Sequence, residues 1–161
     1  MEHTKANFRA LREMVGISQA HLARDLGIDS RSVRRWENPD ATGYSPREEA
    51  WMILKDARFE QLRTVNAFLD EIEAKEDQGS APGKVFITYW ASATEYARAH
   101  PEADPACWQM SNATALLIAH ELEHMGYEVE FGWPGLKAAQ EEADLTEVAD
   151  DQSFTVFEGE D

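Results

Sequence analysis

The chain has 161 residues, enough for one domain or two small ones. A hydrophobic content of 43% with five Trp marks a folded globular chain, and no apolar run reaches the roughly eighteen residues that a membrane-spanning helix needs. The first residues, MEHTKANFRA, hold no apolar signal core, and the single cysteine, Cys107, leaves neither an intrachain disulfide nor a Cys-based zinc site, so a cytoplasmic protein with no cofactor is expected.

The net charge of −16 divides unevenly. Residues 1–47 hold eight Lys or Arg against six Asp or Glu; residues 48–161 hold seven against twenty-five. Net charge governs solubility and long-range steering, whereas polyanion binding depends on a local patch. The N-terminal part is therefore the place where a polyanion could dock, and the acidic remainder would turn it toward that face.

In chain order, Phe8, Leu11 and Val15 recur at helical spacing and predict an amphipathic helix over 5–15, ended by Gly16. His3 and His21 are expected to face solvent, with His21 within reach of a phosphate. Ser18 can cap a second helix, whose stripe is Leu22, Ala23 and Leu26. Gly27 suits the left-handed stop, and Ile28 plugs the turn. Asp29 or Ser30 can cap a third helix, because either side chain can accept a first-turn N–H. On that helix Val33 and Trp36 face inward. Ser30, Arg31, Arg34 and Arg35 fall on the outer side.

Residues 38–43 read as a turn-rich loop. Ser45-Pro46 signals a helix start, with Glu48 and Glu49 at its positive end. Trp51, Leu54, Arg58, Leu62, Val65, Leu69 and Ile72 then recur at threes and fours to about residue 76. This segment is either one long helix or two, broken near Arg58–Gln61. Its later stripe needs a partner, from the C-terminal part or from a second copy. Residues 77–83 read as a linker. Lys84 to Trp90 predicts a strand, Ser92 to His100 a short helix, Pro105 or Ala106 to Met125 a long helix stopped by Gly126, and Tyr127 to Trp133 a second strand. Two strands bury a sheet poorly, which points to strand pairing between copies. Residues 134–161 form an acidic tail, expected to be solvated or a weak helix at 136–149. Phe154, Val156 and Phe157 are candidates for an edge strand or a docking segment. The tail could also imitate nucleic acid and compete for the arginine face.

The pattern of Gln19, Leu22, Ala23, Leu26, Gly27, Ile28, Val33, Trp36 and Glu37 resembles the Cro/lambda-repressor (XRE) type of helix-turn-helix, without a gap. The chain departs from that pattern after Glu37, where Asn38-Pro39-Asp40 stands in place of a frequent Gly. The resemblance implies that Gln19 lies against the DNA backbone and that Ser30, Arg31, Arg34 and Arg35 contact bases, with Leu22, Ala23, Gly27, Val33 and Trp36 as the structural core. More diffusely, residues 5–132, including Cys107-Trp108 and the run from Ala119 to Glu123, resemble the YdiL-like regulators and anti-CRISPR-associated repressors. That similarity implies a homodimer on an inverted-repeat operator of double-stranded DNA, and some members also bind RNA. Glu37 could brace an arginine.

His120-Glu121-Leu122-Glu123-His124 matches the H-E-x-x-H pattern, in which two histidines one helical turn apart hold zinc. No third ligand is marked and the helix ends two residues later, so His120 and His124 are minor metal candidates and a metallopeptidase-type regulator is the weaker alternative. An antitoxin-type interaction protein, with a protein partner on its C-terminal half, is the other. The combined expectation is an α+β chain that is not an enzyme. It comprises an all-helical helix-turn-helix domain with a long helix (1–76), a linker (77–83), a β-α-α-β dimerisation domain (84–133) and an acidic tail (134–161).

Overall fold

The computed structural model describes residues 2–134 and the strand backbones at 146–149 and 155–158. It is a mixed α and β chain that divides into two compact units, Met1–Leu62 and Arg63–Asp161. The division falls inside one helix, and residues 77–83 lie within the second unit. Among the described residues no helix is long and apolar enough to cross a membrane.

The first unit is helical. α1 (Lys5–Met14) is capped by Thr4, whose side chain accepts from the Asn7 N–H. α2 (Gln19–Asp25) is capped by Ser18, which accepts from the His21 N–H. Gly27, at φ +63°, turns the chain into α3 (Ser30–Glu37). Of the two candidate caps for α3, Asp29 takes the role: its carboxylate accepts from the Arg31 N–H at 2.6 Å. The core is Phe8, Val15, Leu22, Val33, Trp51 and Leu54, all essentially inaccessible. Phe8 meets Trp36 and Trp51 edge-on, at centroid distances of 6.1 and 5.1 Å.

α4 (Glu48–Asp77) runs unbroken for 30 residues. It opens at Glu48, two residues after Pro46, and the Arg47 carbonyl accepts from the Ala50 and Trp51 N–H groups. No break occurs at 58–61, because the polar residue there is satisfied. Gln61 is buried, its amide donates to the Met14 carbonyl at 3.0 Å, and its oxygen accepts from Arg58 at 2.6 Å. The inward face is Trp51, Leu54, Gln61, Val65, Phe68 and Ile72. Leu62, expected inward, is 40% exposed, since the buried face shifts by one residue there to admit Gln61.

In the second unit, Val65, Phe68 and Ile72 of α4 bury against Val85 and Ile87 of β1 (Lys84–Thr88) and against Ala115, Ile118, Ala119 and Leu122 of α6 (Trp108–Met125). The later stripe of α4 thus finds its partner within the chain. Between β1 and α6 come α5 (Ala93–Ala99), capped by Ser92, and a 3-10 turn at Pro105–Cys107. Cys107 is half-buried. Asn112 holds the end of β1: its oxygen accepts from the Trp90 N–H at 2.8 Å and its amide donates to the Trp90 carbonyl at 2.9 Å. The Trp90 indole N–H donates to Ser111. Gly126, at φ +95°, ends α6.

β2 (Glu128–Gly132) pairs parallel with β1, Lys84 opposite Glu128 and Ile87 opposite Phe131. Lys84 bonds to Glu128 and Glu130, and these two carboxylates, Glu128 foremost, raise its pKa above the ordinary lysine value. The two strands expected in residues 84–133 are joined by two more from the acidic segment, one of them at the expected candidate Val156 and Phe157. β3 (Thr146–Ala149) and β4 (Thr155–Glu158) extend the sheet to the order β2-β1-β4-β3. The need to borrow a strand from a second copy falls away, because β4 runs antiparallel beside β1. β4 is an interior strand rather than an edge, and the end of the helix expected at 136–149 is replaced by β3. The rest of that helix, and Phe154, lie outside the described residues.

Candidate nucleic-acid interface

α3 has two unlike sides. Val33 and Trp36 are buried; Arg31, Arg34 and Arg35 are exposed and Ser30 is half-exposed. The split follows from the helical repeat: positions 33 and 36 share one face, and 31, 34 and 35 fall on the others. Three cations are thereby presented on a helix whose opposite side is fixed in a packed core.

Polar contacts hold that helix in place. Glu37, its last residue, is buried and receives both Nε and Nη2 of Arg12, the latter at 3.0 Å. Arg12 is itself buried, and its Nη1 donates to the Ile17 carbonyl at 2.7 Å. Gln19 Nε2 donates to the same Glu37 carboxylate at 2.6 Å. One carboxylate therefore ties the end of α3 to α1 and to the start of α2. A bidentate arginine–carboxylate pair adds angular as well as energetic specificity. Glu37 does brace an arginine, but one from the core and not one of the three exposed on its own helix.

The segment after α3, where Asn38-Pro39-Asp40 replaces a frequent Gly, is shaped from the other side. The Lys5 ammonium donates to the carbonyls of Arg35, Asn38 and Ala41. A cation at the negative end of a helix is favoured, and here it also satisfies carbonyls that the helix leaves open. Asn38 Oδ1 accepts from the Asp40 N–H at 2.9 Å. The Arg35 guanidinium lies over the Tyr44 ring, 5.1 Å from its centroid, so the aromatic face orients one of the three cations. Lys5→Met should take the charged donor from those carbonyls, most of which water still reaches, and destabilise the first unit by about 0.5–1.5 kcal/mol. Urea unfolding followed by tryptophan fluorescence measures this.

Lys5, Arg12 and Tyr44 were not legible as contributors. Lys5 and Arg12 sit on an amphipathic helix where a lone cation reads as solvated, and Tyr44 sits in a loop without a repeat. A hint for Arg12 existed: it adjoins Leu11 on the side of α1 that carries Phe8 and Val15. His21 is corrected. It is buried rather than solvent-facing, with Nε2 3.3 Å from Asp25 Oδ2, because residue 25 lies one turn on along the same side of α2. His3 is exposed, stacked on Trp51 at 4.3 Å.

At the end of α6, His120 and His124 lie exposed with ring centroids 4.3 Å apart. His124 Nδ1 donates to the His120 carbonyl at 2.9 Å, which leaves only its Nε2 for any ligand. Among the described residues no group of three or more His, Cys, Asp or Glu is arranged to hold a metal ion.

No protein-family model matches the chain, and comparison with curated proteins gives no match.

Proposed function

We propose that this chain is a sequence-specific DNA-binding regulator of the Cro/lambda-repressor type, a homodimer that represses transcription by occupying an inverted-repeat operator. The observation that carries the reading is the pair of unlike faces on α3: Arg31, Arg34 and Arg35 exposed outward, Val33 and Trp36 buried behind them. A helix that enters a major groove needs both, cations and donors on the outside and a fixed seat behind. Arginine suits the role because its two N–H groups match guanine O6 and N7. Ser30, in the first turn of α3, would share base or phosphate contacts. Gln19 gives one amide hydrogen to Glu37, and a side-chain amide has two, so the second remains for a phosphate beside α2.

The charge distribution agrees. Residues 1–47 are slightly basic and the remainder strongly acidic, so long-range steering favours approach of a duplex to the N-terminal part. Repression then follows from occupancy alone, since a dimer on a promoter blocks polymerase.

Selection of bound fragments from random double-stranded DNA tests the proposal. The expected result is enrichment of two inverted half-sites with centres about one helical turn, or a multiple of it, apart. No enrichment at near-physiological salt, or the same enrichment by a chain carrying both Arg34→Ala and Arg35→Ala, would overturn it.

A further inference from the structure

β2 stands at the end of the sheet order β2-β1-β4-β3, so among the described residues only one of its two sides is paired. The Gly132 carbonyl accepts from the Tyr89 N–H at 2.9 Å, which turns the backbone groups of Gly132 toward β1. Backbone groups alternate along a strand. Those of Glu128 and Glu130 therefore also face β1, while the N–H and C=O of Val129 and Phe131 point outward. An open row of this kind is a template for a further strand.

The side chains say which strand fits. The register with β1 puts Val129 and Phe131 on the face where Val85 and Ile87 are buried, and Glu128 and Glu130 on the other face, with Lys84. The first face ends in a partly open aromatic group. Tyr89 meets Phe131 and Trp133 edge-on at 5.6 and 5.9 Å, and those two are 43% and 47% exposed. The second face keeps a negative charge, because Lys84, at 2.8 Å from Glu128 and 3.1 Å from Glu130, is one cation between two carboxylates. A second copy fits poorly. Two β2 strands paired over their full length about a twofold axis set Glu130 against Glu130, and like charges directly opposite one another are destabilising. Nucleic acid is repelled by the same carboxylates. A strand with Lys or Arg opposite Glu128 and Glu130, and apolar side chains opposite Val129 and Phe131, satisfies both faces and the open backbone groups together.

We propose that the outer edge of β2 takes an extended segment of a partner protein as an added strand, a segment in which lysine or arginine alternates with apolar residues. The surface lies in the second unit and is tested without DNA, so this proposal and the reading of α3 can fail separately.

Fluorescence anisotropy of a labelled peptide of alternating lysine and valine, titrated with the full chain, is the test. Saturable binding with a dissociation constant below about 1 mM is expected. Two further peptides keep the charge and the side chains but are N-methylated along the backbone, one at its valines and the other at its lysines. Only one of these sets of amides can face β2. One methylated peptide should therefore bind about ten-fold weaker or more than the other, the cost of two lost hydrogen bonds. Glu130→Lys should weaken binding of the lysine peptide by about three-fold or more and admit a peptide of alternating glutamate and valine. Equal binding by the two methylated peptides overturns the added strand, since charge alone then holds the peptide. An absence of saturable binding, or binding that Glu130→Lys leaves unchanged, overturns the surface.

Discussion

Glu37→Ala should destabilise the first unit by about 3–5 kcal/mol, the cost of removing one partner from a buried ion pair. The magnitude comes less from the lost attraction than from what remains. Arg12 stays charged and buried, its Nε deprived of an acceptor and its Nη2 left with only the more distant Glu13 carboxylate at 3.5 Å, and Gln19 loses the oxygen to which its amide donates. A single-domain fold is worth only about 5–15 kcal/mol in all, so this one change consumes much of it. Glu37→Gln keeps the shape and one acceptor oxygen but removes the countercharge, and should fall between the two. Replacing Arg12 and Glu37 together by apolar residues should recover most of the loss, since apolar pairs often match buried ion pairs in stability. It should not recover all of it, because the Ile17 carbonyl and Gln19 would still lack their partners. Urea unfolding of the full chain, with Trp36 and Trp51 as reporters, checks all three variants. If Glu37→Ala unfolds within about 1 kcal/mol of the parent, the buried carboxylate is not what holds α3 in place.

The parts of the fold that could be read in advance are those set by neighbours in sequence. Thr4 aside, the caps at Ser18, Asp29 and Ser92 and the stops at Gly27 and Gly126 lie within a turn of the helices they bound. So do the inward pairs Leu22–Ala23 and Val33–Trp36. Local chemistry suffices for each. What escaped depends on residues far apart along the chain. The Arg12–Glu37 pair spans 25 positions, and nothing in either residue's surroundings marks the other. Gln61 is polar, so the apolar stripe of α4 reads through Leu62, one residue away. Yet Gln61 is the buried one, because it meets the open carbonyl at the end of α1. The same displacement turns Leu62 outward, one turn from the exposed Phe59. β3, and the interior place of β4, escape for a different reason: nine acidic residues lie in the stretch from 141 onward, and charge patterning there outweighs the short β-branched run that becomes β3. At the candidate interface the three cations were legible from helical spacing. Their support by Lys5 and Tyr44 was not, since both act from outside α3.

Arg34→Ala or Arg35→Ala should each cost about 1–3 kcal/mol of binding to the selected operator if the residue reads a base, and together roughly 2–6 kcal/mol if the losses add. The fold should be indifferent to either, because both side chains are exposed and neither enters the core. The two contributions can be separated by salt. Loss of a phosphate contact weakens binding to every sequence and lowers the slope of log K against log salt by about one. Loss of a guanine contact weakens the selected operator far more than unrelated DNA and relaxes the preference at one base pair. Arg35 permits a further distinction. Its guanidinium rests on the Tyr44 ring, so a base-reading Arg35 is already aimed before DNA arrives. Tyr44→Ala should then weaken operator binding without altering which bases are preferred, because it frees the cation rather than removing it. Titration of labelled operator at several salt concentrations measures each of these. Were Arg34→Ala and Arg35→Ala both to bind the operator as tightly as the parent, these two arginines would have no part in recognising it, and α3 could not be the helix that enters the groove.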